Sequence, residues 1–296
     1  MSKNLNGINI EDEEYKDEYF EYFELSNGTI EAEIYDTAEK LAVPRTFRGK
    51  PVTVVSSCPD DRPEGRKNVV AVKLSPGLAV IGYQAFFEFR GLKVINIPAT
   101  VTEIENGAFG NCVSLEGITV GRGVVSIGND AFSGCKALCA VKLPDVLVSI
   151  GDRAFMSCES LTEIKIPRFV NSIGIYAFSH CEKLRKIEVD EKSAYFASFC
   201  GALFSKDMTE LIKYPGVAIG ANFLMPEGVK RVRAEAFVDA TNLRRIFISD
   251  NLEEIEDDGF TPLPAGIEPK RIASYLEIGS LYDRITVFAR VIREYD

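Results

Sequence analysis

Apolar residues along this chain follow two periods in turn, and the alternation itself repeats. Between residues 81 and 189 the segments IGYQAFFEFRGLKVINIP, IENGAFGNCVSLEGITVG, IGNDAFSGCKALCAVKLP, IGDRAFMSCESLTEIKIP and IGIYAFSHCEKLRKIEVD follow one another. In the third, Ala131, Phe132, Cys135 and Leu138 fall at helical spacing. Val141 and Leu143 then alternate with Lys142 before Pro144, which is strand spacing closed by a residue that cannot extend a ladder. The pattern predicts one or two turns of helix, capped by Asn129 or Asp130, followed by a short strand. The Ala-Phe pair recurs every 23 residues at Phe86, Phe109, Phe132, Phe155 and Phe178, and the spacing returns between Phe237 and Phe260. A constant period this short predicts a solenoid, because no single repeat can bury its own apolar face and the repeats must stack to fold.

The Ile-Gly, Ala-Phe, Cys, Leu and Ile-x-Ile-Pro columns resemble the BspA-type leucine-rich repeat family over about residues 20 to 262. Phe89 departs from the Cys column, Gly121, Asp190 and Ser249 from the Pro column, and Glu105 and Glu256 from the Gly column. The resemblance implies an α/β solenoid: a right-handed superhelix with one short strand plus short helix per repeat and a parallel sheet lining its concave side. It implies no chemistry.

The remaining segments are read against this repeat. Residues 1–18 are polar and acidic, with Glu11 to Glu14 in succession, and predict a flexible arm. In YFEYFELSNGTIEAEIYD two alternating runs meet at Asn27-Gly28, a hairpin signal. This N-terminal β-hairpin, within a cap over residues 19–50, should lay Phe20, Phe23 and Leu25 over the first coil, whose core would otherwise end in an exposed edge. FRGKPVTVV, residues 47–55, resembles the family's lead into its first repeat. SSCPDDRPEGRK predicts a loop in place of a helix, with the strand resuming at Val72 and Leu74. Ala177 and Ala236 lie 59 residues apart, two periods plus 13, so one coil is enlarged by a hairpin insertion at about 195–215, with strands at 202–204 and 211–214. The solenoid thus spans 19–262. Beyond it, TPLPAGIEPK predicts a loop, and alternation at Ile285, Val287, Ala289 and Val291 suits a C-terminal capping segment over 263–296.

Charge narrows the partners. A net charge of −10 and a pI near 4.9 argue against nucleic acid, which calls for a basic footprint. No run of 18 apolar residues predicts membrane insertion. The amino terminus lacks an apolar leader core, which points to the cytoplasm, whereas the resemblance admits a secreted or cell-surface protein if the natural chain begins earlier. Seven cysteines, an odd number, suit a reducing compartment. One elongated, monomeric domain is expected.

Candidate chemistry is sparse. The chain has one histidine, His180, and no Trp. His180 precedes Cys181, and neighbours in a helical turn point in different directions, which disfavours an enzyme built on a Cys nucleophile. Cys112, Cys135, Cys158 and Cys181 recur at the repeat spacing, so they form a ladder that packs a core and cannot surround a tetrahedral ion. Phosphate-loop, zincin, hydrolase-elbow and EF-hand motifs are missing, and the glycines at 82, 128, 151 and 174 read as turn residues. No catalytic residue, metal site or cofactor is expected.

Function then falls to a surface. The strand residues facing outward form two columns, Lys73, Asn96, Thr119, Lys142, Lys165, Glu188, Phe247 and Ala71, Val94, Gly117, Ala140, Glu163, Lys186, Arg245. The later positions, Lys142, Glu163, Lys165, Lys186, Glu188 and Arg245, form a charged checkerboard with Phe247 as an apolar anchor. Either this keeps the sheet soluble, or it is a docking face for a protein or peptide. A non-enzymatic protein-binding repeat protein, an adhesin for host matrix proteins and a passive spacer are the readings in play.

Overall fold

The computed structural model describes residues 18–57, 64–217, 222–243, 245–248, 250–256 and 259. The acidic arm up to residue 17 and the 263–296 segment lie outside the described residues. Over the described residues the chain is a β-solenoid of about nine coils with almost no helix, and it divides into two compact units. The first comprises residues up to Leu161 together with Phe169–Phe178, and the second comprises Thr162–Arg168 and the chain from Ser179 onward.

In the first unit each coil contributes two short strands. One row consists of Lys40–Ala42, Ala71–Lys73, Val94–Asn96, Gly117–Thr119 and Ala140–Lys142, all parallel. The other runs through Val80–Ile81, Glu103–Ile104, Ser126–Ile127, Ser149–Ile150 and Ser172–Ile173, also parallel. Pairing is in register at the 23-residue offset, so identical columns stack on themselves: Ile81, Ile104, Ile127 and Ile150 are all buried. The phenylalanine column does the same. Phe109, Phe132 and Phe155 stack nearly parallel at 5.2 Å between ring centroids, fully buried. Losing one such ring would cost about 3–5 kcal/mol.

The segment predicted as helix is a chain of tight turns. Gln84, Asp130, Arg153, Tyr176 and Glu235, each directly before an Ala-Phe pair, have φ of 50–58°, and Glu88, Asn111, Ser157, His180 and Asp239, two residues after the Phe, have φ of 57–68°. Left-handed residues at both ends of this segment stop a right-handed helix from propagating. The freed backbone donors turn toward the next coil. Phe86, Phe109, Phe132 and Phe155 donate N–H to the carbonyls of Ala108, Ala131, Ala154 and Ala177 at 2.7–2.9 Å. A helix satisfies its backbone within one coil; these turns bond coil to coil. The helix per repeat is therefore not formed, and the right-handed superhelix inferred with it is not supported.

The amino-terminal hairpin is present, with a phase correction. Phe20–Glu24 and Ile30–Ile34 pair antiparallel around Gly28, whose φ is 79°, while Asn27 Oδ1 accepts from the N–H of Thr29 at 3.0 Å. The buried side chains are Phe20 and Tyr22, whereas Phe23 and Leu25 are half-buried. The hairpin extends the second strand row through Lys50–Ser57, which pairs with Val80–Ile81. Thr46–Phe47 folds back on Lys50–Pro51 across Arg48 and Gly49, both left-handed. Half of the predicted loop, residues 58–63, lies outside the described residues; beyond it a short 3₁₀ turn spans Glu64–Asn68 and Ala71–Lys73 resumes the row.

The second unit contains the enlarged coil. Its insertion has three antiparallel strands, Phe196–Phe199, Ala202–Ser205 and Glu210–Lys213, where the sequence suggested two. Glu210–Lys213 then pairs in parallel with Arg231–Val232, which rejoins the coil spacing with Glu254–Ile255. Tyr214, Phe223 and Phe237 gather at the centre of this unit's core.

Candidate protein-binding groove

Strand alternation sets what the outward face presents. In Glu163–Ile166 and Lys186–Val189, Ile164, Ile166 and Ile187 point inward and are buried, leaving Glu163, Lys165 and Lys186 exposed and Glu188 half-buried. Parallel register places Glu163 opposite Lys186 and Lys165 opposite Glu188, so opposite charges neighbour each other across the pair. Lys186 also pairs with Glu188 within its own strand. That pair pushes the Lys186 pKa up and holds the Glu188 carboxyl below its usual range, with Lys165 adding to the second effect. Part of the predicted checkerboard is thus neutralised internally, and an exposed pair of this kind adds little stability.

The insertion walls this face on one side. Ile187 N–H donates to the Gly201 carbonyl at 2.8 Å and Val189 N–H to Ser198 Oγ at 3.3 Å, which fastens the first hairpin to the strand pair. Between them lies a groove of about 780 Å³, lined among others by Lys165, Lys186, Glu188, Lys192, Phe196 and Lys206. Phe196 is buried and supplies an apolar floor. Asp190, also in the lining, accepts the N–H of Lys192 at 2.9 Å and so serves its own turn. Lys165, Lys192 and Lys206 make no salt bridge among the described residues.

The other predicted positions are not among the residues that line this groove. Lys142 is exposed on Ala140–Lys142 in the first unit. Arg245 and Phe247 belong to the parallel pair Asn222–Leu224 and Arg245–Phe247, where Leu224 stands opposite Phe247. Leu224 is 55% exposed and Phe247 is half-buried, so the apolar anchor is a pair of side chains. Sequence reasoning missed Asn222 and Leu224, although one period back from Arg245 and Phe247 reaches both. It also missed Lys192, Phe196 and Lys206, which follow no repeat column.

A second, polar groove of about 500 Å³ runs along the other strand row of the first unit, past Ser126, Ser149, Ser172, Asn129 and Asp152. Its amide and carboxylate oxygens hold the coils together: Asn106 Oδ1 accepts from Asn129 N–H, Asn129 Oδ1 from Asp152 N–H and Asp152 Oδ1 from Ile175 N–H, at 2.7–2.9 Å. The thiol ladder is likewise internal. Cys112, Cys135 and Cys158 donate to the carbonyls of Phe86, Phe109 and Phe132 at 3.1–3.3 Å, and burial pushes the Cys112 pKa well up. Among the described residues no group of His, Cys, Asp and Glu has the arrangement of a metal site.

Stacked 23-residue coils, each with an Ala-Phe turn and two strand rows, are matched by the model of the BspA type leucine rich repeat region, in six copies, over residues 65–185, 105–212 and 220–268. The chain belongs to the BspA-type leucine-rich repeat family. No curated protein matches it. Among solved structures, this BspA-type protein is similar to a leucine rich cell surface protein from Faecalibacterium prausnitzii, at 26% identity and TM-score 0.61 over 82% of this chain and 76% of that one. It is similar in fold to the pneumococcal vaccine antigen PcpA, at 22% identity and TM-score 0.67, covering 81% of this chain and 65% of the antigen. A leucine-rich repeat protein from Eubacterium ventriosum shares the fold at 21% identity and TM-score 0.56, over 83% of this chain and 62% of that one. Among the described residues no helix is long and apolar enough to cross a membrane.

Proposed function

We propose that this protein is a non-enzymatic, monomeric repeat scaffold that binds an acidic segment of a protein partner in the groove between Lys186–Val189 and the 196–205 hairpin. The observation that carries the reading is the trio of lysines without salt bridges, Lys165, Lys192 and Lys206, around an apolar floor in a chain of net charge −10. Cationic side chains gathered against the prevailing charge suit a partner's carboxylates, and Glu163 and Glu188 disfavour a uniformly anionic ligand such as nucleic acid. A strand pair braced by a fastened hairpin is already ordered, so binding there sacrifices little further entropy. Leucine-rich repeat proteins typically act as binding scaffolds. Leu224 with Phe247, and the charged positions Lys142 and Arg245, are proposed as secondary contacts for a larger partner.

A second reading places the same binding at the bacterial surface, as an adhesin for host matrix proteins. The likeness to a leucine rich cell surface protein favours it. Parallel pull-downs from bacterial lysate and from host matrix extract separate the two readings by which extract yields a specific partner. Binding of that partner should fall at least about tenfold in Lys165→Glu with Lys206→Glu, and stay unchanged in Lys136→Glu with Lys183→Glu, both variants being checked for unaltered melting. Equal loss in both variants, or in neither, refutes the groove.

A further inference from the structure

The turn of the enlarged coil departs from all others. Tyr214 stands in the phenylalanine row: its N–H donates to the Ala236 carbonyl at 2.8 Å and its ring lies 5.3 Å from that of Phe237. Lys213 therefore occupies the place that a fully buried alanine holds in the regular coils, and it is itself buried. Its Nζ extends into the next coil, 3.3 Å from the Glu235 carbonyl oxygen and 3.6 Å from Asp239 Oδ2. The Asp239 side chain is only 8% exposed. Asp239 Oδ2 and Glu235 Oε2 are both buried without a hydrogen-bond partner. The other titratable groups facing this cluster are His180, with Nδ1 3.7 Å from Asp239 Oδ1, and Cys181, which acts on Lys213 electrostatically. Tyr214, Ala236, Phe237 and Ala240 of the apolar core lie in the same turns.

A buried ion pair closes to about 2.7–2.9 Å and fills its remaining hydrogen-bonding positions, because unsatisfied buried charge is costly. Lys213 has one hydrogen bond, at 3.3 Å, and a carboxylate held just beyond hydrogen-bonding distance. Burial pushes the Lys213 ammonium pKa down, against the opposing pull of Asp239. The arrangement is that of a buried lysine beside a buried aspartate in an apolar site, with the Glu235 carboxyl acting on the same lysine.

We propose that Lys213 and Asp239 condense to an intramolecular amide bond, with Glu235 carrying the proton. One proton of the Nζ ammonium passes by way of the Glu235 carboxylate to Asp239 Oδ2, the freed Nζ lone pair attacks Asp239 Cγ, and the new N–C bond forms. A proton leaves Nζ for the Glu235 carboxylate and passes from there to the departing hydroxyl. The Cγ–O bond breaks and one water is released, so amine plus acid gives amide plus water with no oxidant or cofactor. Fixing the two groups in contact within a folded core raises their effective concentration far above that of free reactants. The turns at 84–88, 107–111 and 130–134 each send three backbone bonds to the next coil, whereas among the described residues the enlarged coil's turn sends only that of Tyr214, so the Lys213 side chain adds a tie there.

The test is the intact mass of the denatured full-length protein. The expected mass is one water below that of the sequence, with a proteolytic fragment joining the Lys213 and Asp239 segments. Lys213→Met should restore the sequence mass, Glu235→Gln should lower the cross-linked fraction at least tenfold, and Asp239→Asn should lose ammonia in place of water. Wild-type protein at full sequence mass, with Lys213 open to an amine reagent after denaturation, would leave an ion pair only and overturn the proposal. That reading needs no folded variant.

Discussion

At the scale of single residues, the glycine column shows how the stack is sealed. Gly128, Gly151 and Gly174 stand at the head of the Ala-Phe turns, as when Ala154 N–H donates to the Gly151 carbonyl, but without left-handed backbone; each lies against the preceding coil's Asn106, Asn129 or Asp152. A Cβ on Gly151 would stand 2.6 Å from both the backbone nitrogen and Oδ1 of Asn129. Gly151→Ala should therefore destabilise by roughly 2–3 kcal/mol in denaturant unfolding. Gly117→Ala, whose nearest neighbour would be at 3.7 Å, should stay within about 0.5 kcal/mol. The exceptions solve the same problem from the other side. Glu256 Oε2 reaches back to Ala234 N–H at 3.0 Å, and Glu105 accepts from the backbone of Tyr83. Burial, with Glu103 close by, raises the Glu105 pKa above the ordinary carboxylate value. The folded state thus holds that proton more firmly than the unfolded state, and stability declines as pH rises through the raised value. Glu105→Gln should melt higher than wild type at neutral pH, and the gap should close below the usual carboxylate range. No gap at neutral pH would show that the ionised carboxylate is well accommodated. Position was legible in this column and mechanism was not, because the atom that excludes a side chain belongs to a residue 22 places earlier.

At the scale of elements, period was easier to read than phase or type. Ala131, Phe132, Cys135 and Leu138 do share one buried face, as helical spacing implies. Their backbone reaches that face through paired left-handed residues, and Asp130 and Arg153 carry no sequence mark of positive φ as clear as glycine's. Hydrophobic spacing reports which side chains are buried and leaves the backbone path open when the segment is only a few residues long. The hairpin gives the parallel case for strands. Alternation and the Asn27-Gly28 turn were plain, but two aromatics on each side of Glu21 left the buried face to be settled by packing, and Tyr22 stacks on Phe47 at 3.8 Å. Tyr22→Ala should cost about 3–5 kcal/mol, measured by equilibrium unfolding, and Phe23→Ala less than half of that. If Phe23→Ala proves the more damaging, the strand's facing is the reverse of that described. Deleting residues 1–15, which precede the hairpin, should leave melting unchanged.

At the scale of the whole molecule, the repeat fixes where identical residues stack, and the proposed binding groove lies where the repeat is broken. All seven outward positions chosen from the columns lie on described strands, yet the proposed groove depends on Lys192, Phe196 and Lys206 from the coil enlarged beyond the 23-residue spacing. A column argument cannot reach such residues, because it draws its force from recurrence. The enlarged coil also holds Lys213, so the proposed covalent link and the proposed binding wall come from the same insertion. Charge then sets how a partner arrives. A chain of net charge −10 repels an acidic partner at long range, and local lysines can attract it only within about a Debye length, some 8 Å at physiological ionic strength. Added salt should therefore relieve the long-range repulsion and screen the groove's attraction together, leaving the association rate only weakly salt-dependent. Lys165→Glu with Lys206→Glu removes the attraction, so its residual association should rise with salt. Surface plasmon resonance against the captured partner at low and physiological salt reads both slopes. A wild-type rate that falls steeply with salt would mean that the lysines act as a long-range attractor, and would place the contact on a larger basic surface than this groove provides.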